Sequence, residues 1–400
     1  MTVSILIAVT HLLGSGHLVR AGHLARALAE AGHPVTLASG GMPLRSMEGE
    51  SFAFVQLPPV KVEGTDFRNL LDERGDAIDD ARRNARQAML VDLATRLRPA
   101  IVITEHFPFG RRQLAGEFLA LIAAAKAANP DALVLSSIRD VLVTPRADRV
   151  AEAHARIAAL FDGVLVHGDE ALLPLEASWP LTPELAGKLH YTGYMASPSL
   201  RAKRSHPGNV ERDAGLRRFA RNDDHGEILV SGGGSGAALP LFETAIAAAR
   251  LVGAGRRWRI LVGRATDPAA LDHLAASAPG HVAVEWARPD FAALLSACAV
   301  SISQAGYNTV LDLIDAGRPA IVVPFDAGAE TEQAIRAEAM ARADLARSLR
   351  LSGDLDHDAA ALAAVVTQAL SEEPSAPRAL DRNGARGSVA AVARLLAARR

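Results

Sequence analysis

The chain has 400 residues, of which 49% are hydrophobic and 22% are charged, and this balance excludes global disorder. At about 150 residues per domain, the length predicts two domains rather than a single hydrophobic core. The 43 basic and 45 acidic side chains give a net charge of −2, which excludes the overall positive field that nucleic acid or an acidic membrane would require.

The cysteine content and the hydropathy of the sequence bear on the cellular compartment of the protein. The one cysteine, Cys298, excludes an internal disulfide framework and a cysteine-rich metal site, and it favours a reducing cytoplasm. The opening MTVSILIAVTHLLG lacks the basic region of a signal peptide, and no segment reaches the ~18 uninterrupted apolar residues of a membrane span. We therefore predict a cytoplasmic protein with at most peripheral membrane contact, and the sequence leaves its oligomeric state open.

Strands and helices alternate along the first half of the chain. Short β-branched runs are separated by Ala- and Leu-rich stretches of helical period, a pattern typical of a parallel sheet covered by crossover helices. The clearest helix spans 17–31, with Gly32 as its stop. The predicted strands lie at 3–10, 34–39, 52–57, 100–104, 132–137, 163–168 and 189–193.

The alternation breaks at 198–225 and then restarts. This polar, basic segment contains Pro and Gly and predicts a linker. Further strands are predicted at 227–234, 258–263, 282–286, 299–303 and 320–325, and a last helix at 388–400. The fold class is therefore α/β, with two Rossmann-like, doubly wound parallel-sheet domains. We place the first domain at 1–198, a basic linker at 199–225, the second domain at 226–375, and a helical tail at 376–400 that can cross back to the first domain.

Polar residues follow the predicted strands. Ligands of open α/β sheets bind at the carboxyl ends of the strands, so two such sets predict a cleft between the domains. The first domain supplies His11, Gly14, Ser15, Gly16, His17, Glu105, His106, Arg139, Asp140, His167, Gly168 and Asp169. The second supplies Ser231 to Gly236, Arg264, Trp286, Gln304 to Thr309 and Asp326.

The glycine run 232–236 leads from a strand into a helix expected from about Ala237. In this arrangement, backbone N–H groups and a helix N-terminus can reach phosphate oxygens. The run has neither the G-x-G-x-x-G spacing of a dinucleotide site, which argues against a dehydrogenase, nor the Lys-Ser/Thr of a P-loop. Close packing of helix on strand would select the same glycines, so both explanations stay open.

A second candidate segment covers 303–338. Residues 306–309 are predicted to begin a helix, and Asp312 lies one turn further on the same face, where its carboxylate can accept ribose hydroxyls. Alternatively, Asn308 or Thr309 only caps the helix and Asp312 favours its dipole. Glu332 and Gln333 begin the next helix, where they either meet sugar hydroxyls or lie on solvated surface.

His17 is the candidate general base. A histidine at the start of the first crossover helix, with an ordinary pKa of ~6.5, can accept a proton from a hydroxyl near neutral pH. His11, at the end of the first strand, is the competitor. Lone histidines are more often structural, so the position alone leaves this assignment open.

Several motifs, taken in chain order, resemble a known family. They are GSGH (14–17), TEHFPFGRR (104–112), SSIRD (136–140), VLVHGD (164–169), YTGY (191–194) and GYNT (306–309) through Glu332 and Gln333. With them the chain resembles GT-B-fold glycosyltransferases of the MurG type, and more closely the bacterial predicted glycosyltransferases that carry TEHFPFGRR. The likeness covers most of the chain.

The resemblance implies a GT-B fold and an inverting, metal-independent transfer of a sugar from a nucleotide diphosphate sugar, such as UDP-GlcNAc, to a hydroxyl acceptor, with no cofactor. It implies that His17 is the general base. On the donor side it implies that Gly233, Gly234 and Ser235 lie beside the phosphates and that the diphosphate is bound by Gly306, Tyr307, Asn308 and Thr309. Asp312 would bind the ribose, and Glu332 and Gln333 would bind the donor sugar. Trp286 and Ala287 would contact the nucleotide base, and Arg264 lies at a neighbouring strand end. The implied acceptor-side residues are His11, Glu105, His106, Arg111 and Arg139.

Two positions depart from the MurG pattern: Asp312 replaces the usual Glu, and Gln304 replaces the arginine that often opens the G-x-x-T segment. Two other functions on this scaffold stay open, a UDP-sugar 2-epimerase and a non-catalytic nucleotide-sugar-binding protein. Arg111, Arg112 and the linker either meet an acidic acceptor group or are plain surface. The DxD match Asp354-Leu355-Asp356 is interpreted as chance.

Overall fold

The computed structural model describes residues 2–12, 14–44, 49–63, 68–143, 145–195, 226–233, 238–325, 331–371 and 380–399. The chain forms two compact units, Met1–Met195 with Leu380–Arg400, and Ala196–Ala379. Each unit contains one parallel sheet, and the predicted α/β fold class is confirmed. The linker predicted at 199–225 lies outside the described residues.

The first unit is built on seven parallel strands. They are β1 (Ile5–Val9), β2 (Val35–Ser39), β3 (Ala53–Gln56), β4 (Ile101–Glu105), β5 (Leu133–Arg139), β6 (Gly163–His167) and β7 (Leu189–Tyr191), in the order β3-β2-β1-β4-β5-β6-β7. The helices of its first 195 residues are α1 (Gly16–Glu30), α2 (Asp80–Leu97), α3 (Ala115–Ala128), α4 (Ala147–Leu160) and α5 (Pro183–Ala186), with short 3-10 helices at Arg112–Leu114 and Leu175–Ala177.

Alternate residues of the central strand β1 face two helical layers. Leu6 and Ala8 belong to the core formed with α2 and α3, whereas Ile5, Ile7 and Val9 belong to the core formed with α1. Because both faces of the sheet are covered, the strands are apolar at nearly every position, which is why they are visible in the sequence as continuous apolar runs.

The second unit contains six parallel strands. They are β8 (Ile228–Ser231), β9 (Trp258–Val262), β10 (Val282–Trp286), β11 (Val300–Ser303), β12 (Ala320–Val322) and β13 (Arg347–Ser348), in the order β10-β9-β8-β11-β12-β13. Its described helices are α6 (Leu239–Val252), α7 (Pro268–Ser277), α8 (Phe291–Ala297), α9 (Tyr307–Ala316), α10 (Glu332–Arg342) and α11 (Leu355–Leu370). In both sheets the strand order reverses beside the first strand of the unit, the position at which open α/β sheets bind ligands.

The last helix, α12 (Gly384–Ala397), belongs to the first unit. Its Ala391 is buried in the core shared with α1. A Cβ at Gly387 would lie 2.0 Å from the carbonyl oxygen of Thr192, so the close approach of α12 requires glycine there. Beyond the helix, Arg399 donates to a carboxylate oxygen of Asp162 at 2.5 Å. The chain end is therefore pinned to the first unit by a charged contact.

Each predicted strand is present, and β13 is an addition. Two residues are too few to produce a periodic signal, so β13 was not predicted. The last helix begins at Gly384, four residues before its predicted start at 388. Glycine has a low helix propensity and argues against predicting a helix. Here a Cβ at Gly384 would lie 2.6 Å from the carbonyl oxygen of Tyr194, so the packing requires glycine inside the helix.

Candidate active site

The TEHFPFGRR motif forms a tight loop at the carboxyl end of β4. His106 and Arg111 in this loop have φ values of +68° and +60°, in the left-handed region that residues with a Cβ rarely adopt. Such backbone persists only where the surroundings fix it, and it concentrates at functional sites. We therefore expect the surrounding structure to fix the backbone of this loop.

Buried contacts fix this loop. The ring of Phe107 lies in the core, and its carbonyl oxygen accepts hydrogen bonds from the hydroxyls of Thr104 and Ser136, both at 2.8 Å. A Cβ at Gly110 would lie 2.2 Å from the His106 ring, so glycine permits that ring to rest against the loop backbone. The polar residues of the motif are consequently held in one geometry.

His17 is paired with Glu105. His17 lies in the first turn of α1 and Glu105 ends β4, and the Nδ1 of His17 is 2.9 Å from Oε1 of Glu105. Arg20 pairs with the same carboxylate oxygen. Glu105 is 1% exposed, whereas the His17 side chain keeps 15% of its surface exposed. The Nδ1 atom also lies 3.0 Å from an amino group of Arg20. In the tautomer in which Nδ1 donates its proton to Glu105, the Nε2 lone pair is left as a proton acceptor, and Nε2 has no hydrogen-bond partner within the described part of the chain.

A buried hydrogen-bond chain continues behind Glu105. The Ser137 hydroxyl donates to Oε2 of Glu105 at 2.6 Å and lies 2.9 Å from Nε2 of His167. The Nδ1 of His167 lies 2.8 Å from the hydroxyl of Thr192. Since Ser137 donates to Glu105, it accepts from the Nε2–H of His167. These contacts, from β5, β6 and the residue after β7, fix the orientation of the Glu105 carboxylate.

Burial and positive charge lower the pKa values of the site histidines. The pKa of His17 lies well below 6.5, first because of burial and then because of the charges of Arg111 and Arg20. Burial, with a smaller effect of His17, likewise holds the pKa of His106 well below 6.5, and burial lowers the pKa of His167 to about 3. His17 is therefore unprotonated near neutral pH, the state that a general base requires.

The geometry favours His17 over His11 as the base. His11 is 5% exposed, and burial lowers its pKa. A Cβ at Gly41 would lie 2.4 Å from Nδ1 of His11, so the ring is packed against the backbone that follows β2. The ring centroid of His106 lies 5.1 Å from that of His17.

In the second unit, α9 begins just after β11 without a side-chain cap. Gly306 occupies the N-cap position, and neither Asn308 nor Thr309 caps the helix. The explanation of these two residues as caps is therefore wrong. The first N–H groups of an α-helix have no intrahelical partners and carry the positive end of the helix dipole, so the start of α9 is a suitable site for an anion.

Asp312 lies on α9 beyond its first turn and is half-buried. Its carboxylate makes no hydrogen bond or ion pair with any described residue, and burial raises its pKa to about 6. Its distance from the helix start also removes the dipole explanation, because that effect is confined to the first turn. A half-buried carboxylate without a partner is unfavourable by itself and is a good acceptor for ligand hydroxyls.

The glycines after β8 serve different purposes. A Cβ at Gly232 would lie 2.1 Å from the Cβ of Ala238, so Gly232 is required by the packing of α6. Gly233 has a φ of +68° and nothing within 4 Å of an added Cβ, so it makes the turn beside open space. Gly234 and Ser235 lie outside the described residues.

Glu332 and Gln333 begin α10. The side-chain oxygen of Gln333 accepts from the backbone N–H groups of Ala305 and Phe325, both at 3.1 Å. It thereby ties together the segments after β11 and β12, and its amide nitrogen makes no hydrogen bond with a described residue. Glu332 is 5% exposed, so the solvated-surface explanation is wrong for this residue.

The remaining donor-side residues follow β9 and β10. Arg264 is exposed, and its guanidinium has no partner among the described residues. Trp286 ends β10 and packs half-buried against the core. Ala287 donates its N–H to the carbonyl of Val262 at 2.8 Å. Of the two backbone groups of Ala287 that were expected to contact the nucleotide base, only the carbonyl is therefore available.

The DxD match has a structural explanation. Asp354 is the N-cap of α11, and its carboxylate accepts from the N–H groups of Asp356 and His357, both at 3.1 Å. Within the described ranges, no group of three or more His, Cys, Asp or Glu side chains could hold a metal ion. None of the described helices has both the length and the apolar character needed to cross a membrane.

Residues 228–391, from the start of β8 into α12, match the glycosyltransferase family 28 C-terminal domain. This part of the chain is therefore similar to the glycosyltransferase family 28 domain. The UDP-N-acetylglucosamine–N-acetylmuramyl-(pentapeptide) pyrophosphoryl-undecaprenol N-acetylglucosamine transferase of Novosphingobium aromaticivorans is 30% identical over 176 residues, which cover 43% of this chain and 43% of that protein. The match thus spans less than half the length of this relative.

Solved structures match this chain along almost its whole length. A UDP-glucosyltransferase from Polygonum tinctorium has a TM-score of 0.62 at 16% identity, covering 99% of each chain. MurG of Acinetobacter baumannii has a TM-score of 0.57 at 16% identity, covering 98% of this chain and 99% of that one. At such identities the likeness shows the fold. Together with the family 28 match, it confirms the predicted resemblance to GT-B glycosyltransferases of the MurG type.

The sequence analysis did not identify Arg20 and Ser137 as site residues, and it placed His167 among the polar strand-end residues without its contact to Ser137. Ser137 and His167 lie at strand ends within quoted motifs, so a signal was present. Their role depends on register, since Ser137 is the pairing partner of Glu105 in the neighbouring strand. Arg20 lies one helical turn after His17, where a side chain shares the same face.

Proposed function

We propose that this protein is an inverting glycosyltransferase that transfers a sugar from a UDP-linked donor to a hydroxyl acceptor. The observation that carries the proposal is the 2.9 Å pairing of His17 Nδ1 with the buried Glu105, which leaves Nε2 to act as the base. The acceptor oxygen attacks the anomeric carbon and gives its proton to Nε2 of His17. The bond to the diphosphate breaks, the nucleoside diphosphate leaves with the electron pair, and a single displacement inverts the configuration.

The second unit binds the donor in this proposal. The uncapped start of α9 binds the diphosphate, and Asp312 accepts hydrogen bonds from the ribose hydroxyls. Glu332 and the amide of Gln333 meet the sugar, and the carbonyl of Ala287 meets the base. The Novosphingobium relative is named for transfer of N-acetylglucosamine from UDP-N-acetylglucosamine, and this supports UDP-GlcNAc as the first donor to test.

The negative charge that grows on the leaving diphosphate is stabilised by the N–H groups of α9 and needs no metal ion. Transfer is therefore expected to proceed at the same rate in EDTA. Loss of turnover on chelation, with recovery on adding a divalent ion, would contradict this part of the proposal.

The experiment begins with a thermal-shift screen of nucleotide sugars on the full chain. A donor present at 100 times its dissociation constant stabilises the folded state by ~2.7 kcal/mol. The donor that binds is then incubated with a panel of hydroxyl acceptors. Acceptor-dependent release of UDP supports a transferase. Isomerisation of the sugar without acceptor would indicate an epimerase, and binding without any turnover across the panel would indicate a binding protein.

A further inference from the structure

A chain of buried polar side chains runs behind the carboxylate of Glu105. It passes from Ser137 of β5 to His167, the last residue of β6, and to Thr192, which follows β7. The Oγ of Ser137 lies 2.6 Å from Oε2 of Glu105 and 2.9 Å from Nε2 of His167. The Nδ1 of His167 lies 2.8 Å from Oγ1 of Thr192. All four residues are at most 1% exposed, so their polar groups need partners inside the protein.

The direction of each hydrogen bond in this chain follows from the charge of Glu105. Because Glu105 is paired with Arg20, its carboxylate only accepts, and the Ser137 hydroxyl must donate its proton to it. Towards His167, the oxygen of Ser137 can then only accept, so the proton of His167 lies on Nε2. Burial lowers the pKa of His167 to about 3, so the ring is neutral and carries one proton. The lone pair of Nδ1 is left to accept from the hydroxyl of Thr192.

The two oxygens of Glu105 have separate partners. Oε1 receives His17 and Arg20, and Oε2 receives Ser137. A serine hydroxyl can rotate about its Cβ–Oγ bond and donate to any acceptor within reach. Here the Nε2–H of His167 occupies a lone pair of the Ser137 oxygen, so the serine proton is committed to Oε2. With Oε2 held in this way, Oε1 stays turned towards Nδ1 of His17.

Thr192 allows the chain to run in either direction. Its hydroxyl lies 2.8 Å from Nδ1 of His167 and 3.3 Å from the carbonyl oxygens of Val166 and Gly193. It can therefore donate to a bare Nδ1, or accept from an Nδ1–H and donate to a carbonyl. Since this end of the chain satisfies both tautomers of His167, the choice between them is made at the other end, by Glu105.

We propose that Ser137 and His167 are positioning residues for sugar transfer. His167, as the Nε2–H tautomer, commits the Ser137 hydroxyl to Glu105, and this bond holds the carboxylate in the orientation that His17 needs. The inference rests on the proposed function, because it concerns the same base. It also gives a function to His167 of the VLVHGD motif and to Thr192 of the YTGY motif, neither of which contacts His17 directly through a hydrogen bond within the described residues.

The direction of the chain also determines where the proton of the acceptor stops. The acceptor hydroxyl gives its proton to Nε2 of His17, and the charged Glu105 stabilises the imidazolium that forms. No proton moves on from Glu105, because Ser137 and His167 both already donate towards the carboxylate. In a reversed chain a protonated Glu105 would donate to Ser137, and the uncharged acid would no longer stabilise the imidazolium.

The first test measures the tautomer of His167 in the full chain by long-range ¹H–¹⁵N correlation of labelled histidines. The protein has 13 histidines, and the signals of His167 are those that His167→Gln lacks. The wild type is expected to show the Nε2–H form. Ser137→Ala removes the acceptor that Ser137 provides for this proton, so His167 is expected to change to the Nδ1–H form, whose proton Thr192 accepts. The matched Ser388→Ala, which removes a buried hydroxyl that donates to the carbonyl of Gly384, should leave the tautomer unchanged.

The second test measures kcat and the dissociation constant of the donor in the same variants. Ser137→Ala is expected to decrease kcat about tenfold, because one charge-assisted hydrogen bond to the carboxylate is lost, and to leave donor affinity unchanged. His167→Leu should show a similar decrease. His167→Gln, whose amide N–H can still donate to Ser137, should retain kcat within about threefold of the wild type and covers the case in which Ser137→Ala does not fold.

An Nδ1–H tautomer of His167 in the wild type would overturn the inference, because the Ser137 hydroxyl would then not be committed to Glu105. A wild-type kcat in Ser137→Ala would also overturn it, and so would equal rates in His167→Gln and His167→Leu. The tautomer is measured without any sugar transfer. The proposed function fails separately, if no nucleotide sugar binds or if transfer does not need His17.

Discussion

The Nδ1 of His17 and Oε1 of Glu105 meet at 2.9 Å although 88 positions separate the two residues in the sequence. The sheet order brings them together, because β1 pairs with β4 and the carboxyl ends of these strands lie side by side. The glycine turn after β1 leads directly into α1, whose first turn carries His17, and Glu105 is the last residue of β4.

Glu105→Gln is expected to keep the shape of this contact and to remove its charge. Because general-base catalysis contributes about 10²–10⁴-fold and the amide retains part of the orientation, kcat should fall about 10- to 100-fold. The dissociation constant for the donor should not change. The measurement is steady-state transfer together with donor binding.

Two controls test that Glu105 acts through His17. Glu30→Gln alters an exposed carboxylate at the end of the same helix and should leave kcat unchanged. The double variant His17→Ala/Glu105→Gln should be no slower than His17→Ala alone, since residues that act as a unit are not additive. Multiplicative losses would show that Glu105 has a separate function.

The raised pKa of Asp312 is expected to make donor binding depend on pH. Burial raises its pKa to about 6 in the unliganded protein. Ribose hydroxyls bind the carboxylate better than the acid, so affinity for UDP should decrease as the pH falls through about 6. Asp312→Asn should weaken UDP binding about tenfold and leave only the pH dependence that the terminal phosphate of UDP contributes, whereas the exposed Asp272→Asn should retain the affinity and the pH dependence of the wild type. Calorimetric titration between pH 5 and pH 8 measures the effect, and an unaltered pH dependence in Asp312→Asn would contradict the assignment.

The buried His167 is expected to make the folded protein less stable in acid. Burial lowers its pKa to about 3, so between this value and its ordinary value only the unfolded chain binds the proton. The contribution is fully present above about pH 6.5 and is lost as the pH falls, amounting to about 2 kcal/mol between pH 7 and pH 5. Denaturant unfolding at the two pH values should show a smaller difference for His167→Gln than for wild type. The same difference in both proteins would contradict the prediction.

Arg86 is expected to stabilise the first unit and not to act in catalysis. It joins α2 to Glu117 of α3 and to the backbone after β2. Arg86→Met leaves the buried Glu117 carboxylate unpaired and should decrease the free energy of unfolding by about 3–5 kcal/mol. The exposed Arg96→Met on the same helix, which loses only a surface pair with Asp92, should change it by less than about 1 kcal/mol. Chemical denaturation of the two variants compares these effects.

The fold was predictable because its strands are buried on both faces and stand out as apolar runs between helical segments. The positions of His17 and of the uncapped helix start at Gly306 were predictable because each follows a strand, and the position of Asp312 was predictable because it lies on the helix that begins there. The pairing of His17 with Glu105 was not, since it depends on which strands are neighbours. Gln333 also differed in detail: its oxygen is used by two backbone N–H groups, a contact that no local pattern reveals.

The most direct test is the rate of acceptor-dependent UDP release by His17→Ala, measured together with its affinity for the donor. The account predicts a rate about 10²–10⁴-fold below wild type, an unchanged donor dissociation constant and a native melting temperature. A variant that transfers sugar at the wild-type rate would show that the imidazole beside Glu105 is not the base.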